Sequence, residues 1–462
     1  MLNLPFPGLA DEAALRSLLG DSAYALCGVT HTISSREVLN AVAAMATAPV
    51  MPWDALICTS RAVHAALCRV LDWTEENLRA RLGATRFVRP MMPVIPLGVH
   101  AARFSRKPED RKRWRKKLGV AQDVIAVLFF GRLSVHAKAS PFQLAQAAEA
   151  AARASGKKLA VLWCGWFNDD FQRRVFMESA KAMAPSVSFH HVDGRDEDAR
   201  FSVWAAADVF CSLSDNIQET FGLTVIEAMA AGLPVVVSNW NGYRAAVEHG
   251  VNGVLVDSYL PEASLADAGY RYLSGIDTYD AHIGAVSQLC FVDLAQTAQW
   301  LARLAADEAL RRKLGAAARS TVETSFDWSV VLPRYAEVWG EQFERVTRAR
   351  SEKTSSTAWL RHDPARTFAG FPSQRLKGAS RLQCGPQFSR WSDLARQPGV
   401  VLNAAVLTGR SQYEAVQKAF LDAKSRSVDE VLARFAEAER PAVLRSLHWM
   451  VKVGLLQLAA PE

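Results

Sequence analysis

Residues 218–256 read QETFGLTVIEAMAAGLPVVVSNWNGYRAAVEHGVNGVLV, and this stretch decides the fold. LTVIEAMAAG has the spacing of a helix, and the β-rich run PVVVSN behind it reads as the next strand. A loop carrying Glu219 therefore feeds a helix whose first amides belong to about Phe221, Gly222, Leu223 and Thr224. Such amides lack intrahelical acceptors and sit at the positive end of the helix dipole, so the junction suits an anion such as a diphosphate. Gly222 lets the backbone approach that anion with no Cβ in the way. Glu227, about one turn inside the helix, is placed to accept hydrogen bonds from ribose hydroxyls, and Glu219 from the hydroxyls of a sugar. The plainer alternative is an ordinary helix with an exposed glutamate on each side.

Upstream, the same rhythm of strand and helix recurs. VIAVLFFG (124–131) reads as a strand and PFQLAQAAEAAARASG (141–156) as the helix behind it. KLAVLWCGW (158–166), VSFHHV and DVFCSLS read as further strands, with helices between them, one around DARFSVWAAA. This alternation predicts a parallel α/β sheet of Rossmann type ending near residue 325. In FFGRLSVHAKASP (129–141) the first strand ends at Gly131, and Arg132 and Lys138 follow in the loop at its carboxyl end, where ligands of open α/β sheets bind. Two cations converging there would stabilise the charge that builds on a leaving diphosphate. Two solvated loop cations are the other reading.

With these residues in view, the chain resembles the family-four glycosyltransferases. Glu219 and Glu227 are separated by seven residues around F-G-L, and A-M-A-A-G-L-P-V-V-V and H-G-V-N-G-V-L-V follow in order. G-R-L followed by Lys138 matches the family's cation loop, with Ala139 where glycine is usual. NWNGYRAAVEHG departs from the family's G-G-x-P-E segment and keeps only Gly242. The resemblance implies a GT-B fold of two Rossmann-like lobes and transfer of a hexose from a UDP- or GDP-sugar with retention of configuration. The acceptor hydroxyl would attack from the face the nucleotide leaves, and the leaving phosphate would help remove its proton. Neither an enzyme nucleophile nor a cofactor or metal is then required. The same resemblance would aim His31, at the end of the strand in GVTHTIS, at the transferred sugar or its phosphate, although a satisfied turn or core histidine reads equally well. Gly165, after LAVLWC, and the loop SLSDNIQ (212–218) would border the base or sugar pocket; ordinary loop residues are the alternative.

The chain has 462 residues, 50% hydrophobic and 22% charged, enough to fill more than one core. Residues 1–112 are expected to form a partial N-terminal acceptor lobe, with YALCGVTHT and DALICTS as strands, SSREVLNAVAAMA as a helix and MPVIPLGV as a last strand or loop. DALICTSRAVHAAL (54–67) and IPLGVHAARF (95–104) also resemble the family's approach to the lobe junction. Only about thirty residues precede GVTHT and none reads G-G after a strand, so an incomplete lobe is expected. Residues 113–325 are assigned to the nucleotide-sugar lobe, 326–347 to a closing amphipathic helix, 348–375 to a polar linker and 376–462 to a small, mostly helical domain. SVDEVLARFAEAERPAVLRSLHWMVKVGLLQL in that last domain has the two helices and short strand of a winged helix.

The net charge of +7 is modest but concentrated in RKPEDRKRWRKK (106–117). That run is suited to anionic lipid or an acidic acceptor, and a solvated helix face beside a linker is the preferred reading. No apolar run approaches the roughly 18 residues of a membrane span, and no signal sequence is evident, which predicts a cytoplasmic protein, at most peripheral to the inner face of the membrane. Seven scattered cysteines without CxxC spacing read as buried thiols in a reducing compartment and argue against a metal site. The second C-terminal helix carries few basic residues (Arg440, Arg445, Lys452), while Val443, Leu444, Leu447 and Met450 look like core. Docking on the enzyme or a protein partner is favoured there over nucleic acid. No Ser-His-Asp order, P-loop or zinc spacing competes. The function implied is transfer of a sugar to a saccharide, lipid-linked or protein acceptor; the alternative is a catalytically silent nucleotide-sugar-binding or scaffold protein with a C-terminal interaction module.

Overall fold

A computed structural model describes residues 1–138, 140–351, 364–394, 397, 407, 410–421 and 425–459. Ala139 and the centre of the expected linker, 352–363, lie outside the described residues. The chain forms two compact units, Met1–Leu360 and Arg361–Glu462.

The first unit opens with β1 (Leu2–Leu4), α1 (Leu9–Arg16), β2 (Leu26–Val29), α2 (Arg36–Ala44), β3 (Ala55–Ile57) and α3 (Arg61–Leu82). The three strands make a parallel sheet in the order β1-β2-β3. A strand therefore precedes GVTHT after all; three residues are too few to show a period in the sequence. MPVIPLGV (92–99) forms no strand; isolated bridges at Val94 and at Met91 just before it join the segment to Cys58 and β3. Pro93 and Pro96 lack the N–H groups that a ladder needs.

Leu9, Leu26, Val42, Leu56, Val63 and Leu67 form the core of this lobe. Beneath it lies a wholly buried ion pair: Arg16 Nη2 donates to Asp54 Oδ2 at 2.9 Å, and both side chains are fully shielded from solvent. Asp54 also accepts from the Leu26 and Met51 amides at 2.8 Å, and Arg16 donates to the Tyr24 and Pro49 carbonyls. Removing one partner leaves an uncompensated buried charge, so Asp54→Ala is expected to cost about 3–5 kcal/mol. Urea unfolding of the variant checks this; a loss below about 1 kcal/mol contradicts it.

The second lobe begins with α4 (Pro108–Leu118). It continues through β4 (Ile125–Phe130), α5 (Pro141–Ser155), β5 (Leu159–Gly165), α6 (Asp170–Met183), β6 (Ser188–Asp193), α7 (Glu197–Ser202), β7 (Val209–Ser212), α8 (Leu223–Ala230), β8 (Val235–Ser238), α9 (Tyr243–Ala246) and β9 (Val254–Val256). All six strands are parallel, in the order β6-β5-β4-β7-β8-β9. The central strands are buried on both faces, as their unbroken apolar runs require. The order reverses between β4 and β7, and this switch point opens a crevice at their carboxyl ends.

The basic run is a solvated face only in part. Arg111 and Arg115 clamp the two oxygens of Asp208 at 2.8 and 2.6 Å, and Arg106 donates to the Ala207 carbonyl at 2.8 Å. Arg115 is wholly buried. These arginines fix the start of β7, while Arg106 itself and Lys107, Lys112, Arg113, Lys116 and Lys117 remain exposed.

Beyond β9, the antiparallel pair β10 (Ser258–Tyr259) and β11 (Phe291–Val292) brackets a helical hairpin, α10 (Ala266–Leu273) and α11 (Tyr279–Ser287). Helices α12 (Leu294–Ala306) and α13 (Glu308–Ser325) complete the lobe. The expected closing helix is α14 (Trp328–Ser351), and it returns to the first lobe: Gln342 Nε2 donates to the Leu26 and Trp53 carbonyls, and Arg334 to that of Val94.

The second unit carries α15 (Pro364–Thr367), β12 (Arg381–Cys384), α16 (Trp391–Leu394), α17 (Arg410–Leu421), β13 (Arg426–Ser427), α18 (Val428–Leu432), α19 (Arg440–Lys452) and β14 (Leu456–Leu458). An antiparallel sheet β13-β12-β14, of which the sequence revealed only the last strand, joins the helices. Val443, Leu447 and Met450 are fully buried beside Leu382 and Phe420, and Leu444 packs at the edge of that core.

Candidate active site

At the carboxyl ends of β4 and β7 a cleft of about 170 Å³ is lined by Leu97, Phe129, Phe130, Gly131, Lys138, Ser212, Glu219, Thr220, Phe221, Gly222, Leu223, Thr224 and Tyr243. The strand-end glycine, the loop lysine, the first glutamate and the helix start expected from the sequence thus meet in one place. Lys138 Nζ donates to Glu219 Oε2 at 3.3 Å, with the lysine a third exposed. Glu219 Oε1 accepts from the Thr220 and Phe221 amides at 3.2 and 3.4 Å. Val225 and Ile226 donate to the Gly222 carbonyl, so the Leu223 and Thr224 amides are those left at the mouth of α8.

Gly222 is required twice over. Its φ of +96° lies in the left-handed region, and a Cβ there would stand 2.2 Å from the Tyr243 ring. Tyr243 is the floor under the helix start, with its hydroxyl 2.9 Å from Ser212 Oγ, and burial pushes that hydroxyl's pKa up. Sequence reading missed Tyr243 because it lies in the segment that departs from the family pattern. Asn241 in the same segment donates to the Glu219 carbonyl, and Ser60, the N-cap of α3 in the first lobe, donates to the Thr220 carbonyl at 2.9 Å. The glutamate loop is therefore held from both lobes.

Four expected residues stand outside the cleft lining. Arg132 turns to Gln218, donating from Nη2 to Oε1 at 2.9 Å, and its Nε is buried with no acceptor among the described residues. His31 is exposed, two residues beyond β2. Gly165 ends β5, where a Cβ would lie 1.8 Å from the Gly131 carbonyl oxygen, so it supports the cation loop from behind. Glu227 is buried on α8, 8% exposed. A larger cavity, about 830 Å³, opens between the lobes near Arg61, Asn241 and Arg244, but the lysine, the glutamate and the helix amides converge only in the smaller one.

Burial lifts the Glu227 carboxyl to about 7, against a smaller opposing effect of Arg200. An acid raised in the folded state binds its proton more tightly there than when unfolded. It therefore lowers stability as pH rises from about 4.5 to 7, and the whole penalty is present above 7. Glu227→Gln is expected to leave stability nearly unchanged at pH 4 and to raise it by up to about 3 kcal/mol at pH 8. Denaturant midpoints at the two pH values test this; an equal shift at both contradicts the assignment.

Two parallel-sheet lobes with a helix amino terminus and a cation at the switch-point crevice define a GT-B glycosyltransferase-like fold. Consistent with this, the family model described as glycosyl transferases group 1 matches residues 110–275. The D-inositol 3-phosphate glycosyltransferase of Nocardia farcinica is 31% identical over 202 residues, covering 43% of this chain and 44% of that protein. The protein of the same name from Geodermatophilus obscurus is 35% identical over 187 residues, covering 36% and 37%. The chain thus spans less than half the length of these curated relatives. Among solved structures, Anabaena HepE in complex with UDP and glucose aligns with a TM-score of 0.50 at 19% identity, over 73% of this chain and 77% of that one. Among the described residues, no three His, Cys, Asp or Glu side chains come together to hold a metal, and no helix is long and apolar enough to cross a membrane.

Proposed function

We propose that the protein transfers a hexose from a nucleoside-diphosphate sugar, of the UDP or GDP type, to an acceptor hydroxyl with retention of configuration and without a metal. The observation that carries this is the Lys138 and Glu219 pair at the open end of α8. The α8 amides and the Lys138 ammonium would hold the diphosphate, while Glu219 would accept hydrogen bonds from the sugar hydroxyls. The new C–O bond forms between the acceptor oxygen and the anomeric carbon as the bond from that carbon to the phosphate oxygen breaks. The electron pair goes to the phosphate, which takes the acceptor proton. The names of the curated relatives support glycosyl transfer, and the UDP and glucose bound to HepE support a nucleotide-sugar donor. A saccharide, lipid-linked or protein acceptor fits the reading, and so does a cytoplasmic site of action that includes peripheral membrane contact.

Incubating the full chain with UDP-, GDP- and ADP-sugars, with and without EDTA, tests the proposal through release of nucleoside diphosphate. Release from one donor class, undiminished by EDTA and with the product anomer matching the donor's by NMR, is expected. Nucleotide binding without turnover of any donor sinks the enzymatic reading and leaves a binding protein.

A further inference from the structure

Side chains beside the cleft join the two lobes in one hydrogen-bonded line. Arg132 Nη2 donates to Gln218 Oε1 at 2.9 Å, Gln218 Nε2 donates to the Tyr279 hydroxyl at 3.3 Å, and that hydroxyl lies 2.8 Å from Ser34 Oγ. Arg132 stands in the cation loop, Gln218 immediately before Glu219, Tyr279 at the start of α11, and Ser34 three residues after His31 in the first lobe.

The line has a direction as far as Tyr279. An amide side chain presents one carbonyl and one NH2 group, so Gln218, whose carbonyl takes the Arg132 proton, must turn its NH2 toward Tyr279. The tyrosine hydroxyl accepts from Gln218, and the proton between it and Ser34 Oγ comes from either hydroxyl. The Gln218 backbone is fixed as well, its amide donating to Asn216 Oδ1 at 2.8 Å. Among the described residues Gln218 is the hydrogen-bond acceptor of the Arg132 guanidinium, so its orientation sets where that cation points.

The hairpin that presents Tyr279 is braced at both ends. Toward the first lobe, the Tyr272 hydroxyl accepts from the Arg36 amide at 3.1 Å. Toward the second, Ser287 Oγ donates to Asp215 Oδ1 at 3.0 Å, and Asn216 Nδ2 donates to the Ile283 carbonyl at 3.4 Å. A 2.8 Å contact across the lobes through a hydroxyl on a rigid ring forms only when the first-lobe loop is docked.

We propose that Tyr279 is a positioning residue that couples docking of the first-lobe loop 31–36 to the aim of the Arg132 guanidinium, so that the cation is held in place beside the donor cleft only with the lobes together. This rests on the donor reading above. Tyr279→Phe keeps the ring and removes the link. It is expected to lower kcat about ten-fold with the donor KM changed less than two-fold, and Ser34→Ala is expected to act in the same way. Because both cut one line, the double variant should be no slower than the slower single.

Hydrogen exchange of the free protein reads the link without turnover: Tyr279→Phe should speed exchange in 30–36 and in 216–219 together, while Tyr270→Phe, at an exposed ring on α10, should change neither. An unchanged kcat, or independent losses that multiply in the double variant, overturns the proposal whatever the exchange shows. Should the wild-type chain turn over no donor, the functional reading falls by itself. Exchange then decides the coupling: a change confined to α11 rejects it, and a joint change in both loops upholds it.

Discussion

Replacing Lys138 by alanine is expected to slow donor turnover by a factor of about 10²–10³, the scale seen when one preorganised group aimed at developing charge is removed. The ammonium is a third exposed, beside the open end of α8 and 3.3 Å from Glu219, so its field reaches the position a leaving phosphate would take. Negative charge grows there only as the glycosidic bond breaks, and the loss should therefore fall on kcat more than on donor KM. Folding should hardly change, because a partly exposed ion pair contributes about 0–1 kcal/mol. Release of nucleoside diphosphate from the preferred donor, with a thermal melt of the same sample, separates the two effects. Turnover within three-fold of wild type would remove Lys138 from the mechanism.

Gly165→Ala should produce the largest loss of stability among single substitutions near the cleft. Its Cβ would sit 1.8 Å from the Gly131 carbonyl oxygen, a backbone atom that cannot swing aside as a side chain can. Gly131 is itself tied to the Cys164 carbonyl at 2.9 Å, and Gly194 donates to the Gly165 carbonyl at 3.1 Å. Three strand ends would have to separate, at a cost of about 3 kcal/mol or more, the upper end of what overpacking exacts. In a domain of this size that is a fall of about 6 °C or more in Tm, or failure to fold. An unaltered melting temperature would mean that the strand ends yield more easily than their hydrogen bonds indicate.

The contrast between these glycines shows what the sequence could reveal. Gly222 was legible because a loop glutamate, a glycine and a helical period follow one another within a few residues, and local order is what periodicity records. Gly165 invited a ligand role, whereas its structural constraint comes from Gly131, 34 positions away in the numbering. Likewise, RKPEDRKRWRKK looked solvated throughout, although Arg115 is buried, because Asp208, which Arg111 and Arg115 grip, lies 97 and 93 positions away. The hairpin α10 and α11 passed unread: its helices are short, and Gly275 interrupts the segment between them. Tyr279 and Gln218, which join the lobes through it, therefore left no pattern in the chain. In the second unit, β12 is four residues long and pairs with strands more than forty positions later, which hides it from any local reading.

The return of α14 to the first lobe has a practical consequence for recombining such proteins. Gln342 bonds to carbonyls beside β2 and β3, and Val331 packs with Cys27, Ala55 and Ile57, so α14 belongs physically to what was made first. A hybrid meant to exchange donor preference should splice at two seams, near 105 and near 327, and graft only what lies between. A single crossover would mate an old α14 with a foreign floor and strand its glutamine among carbonyls it was not shaped to meet.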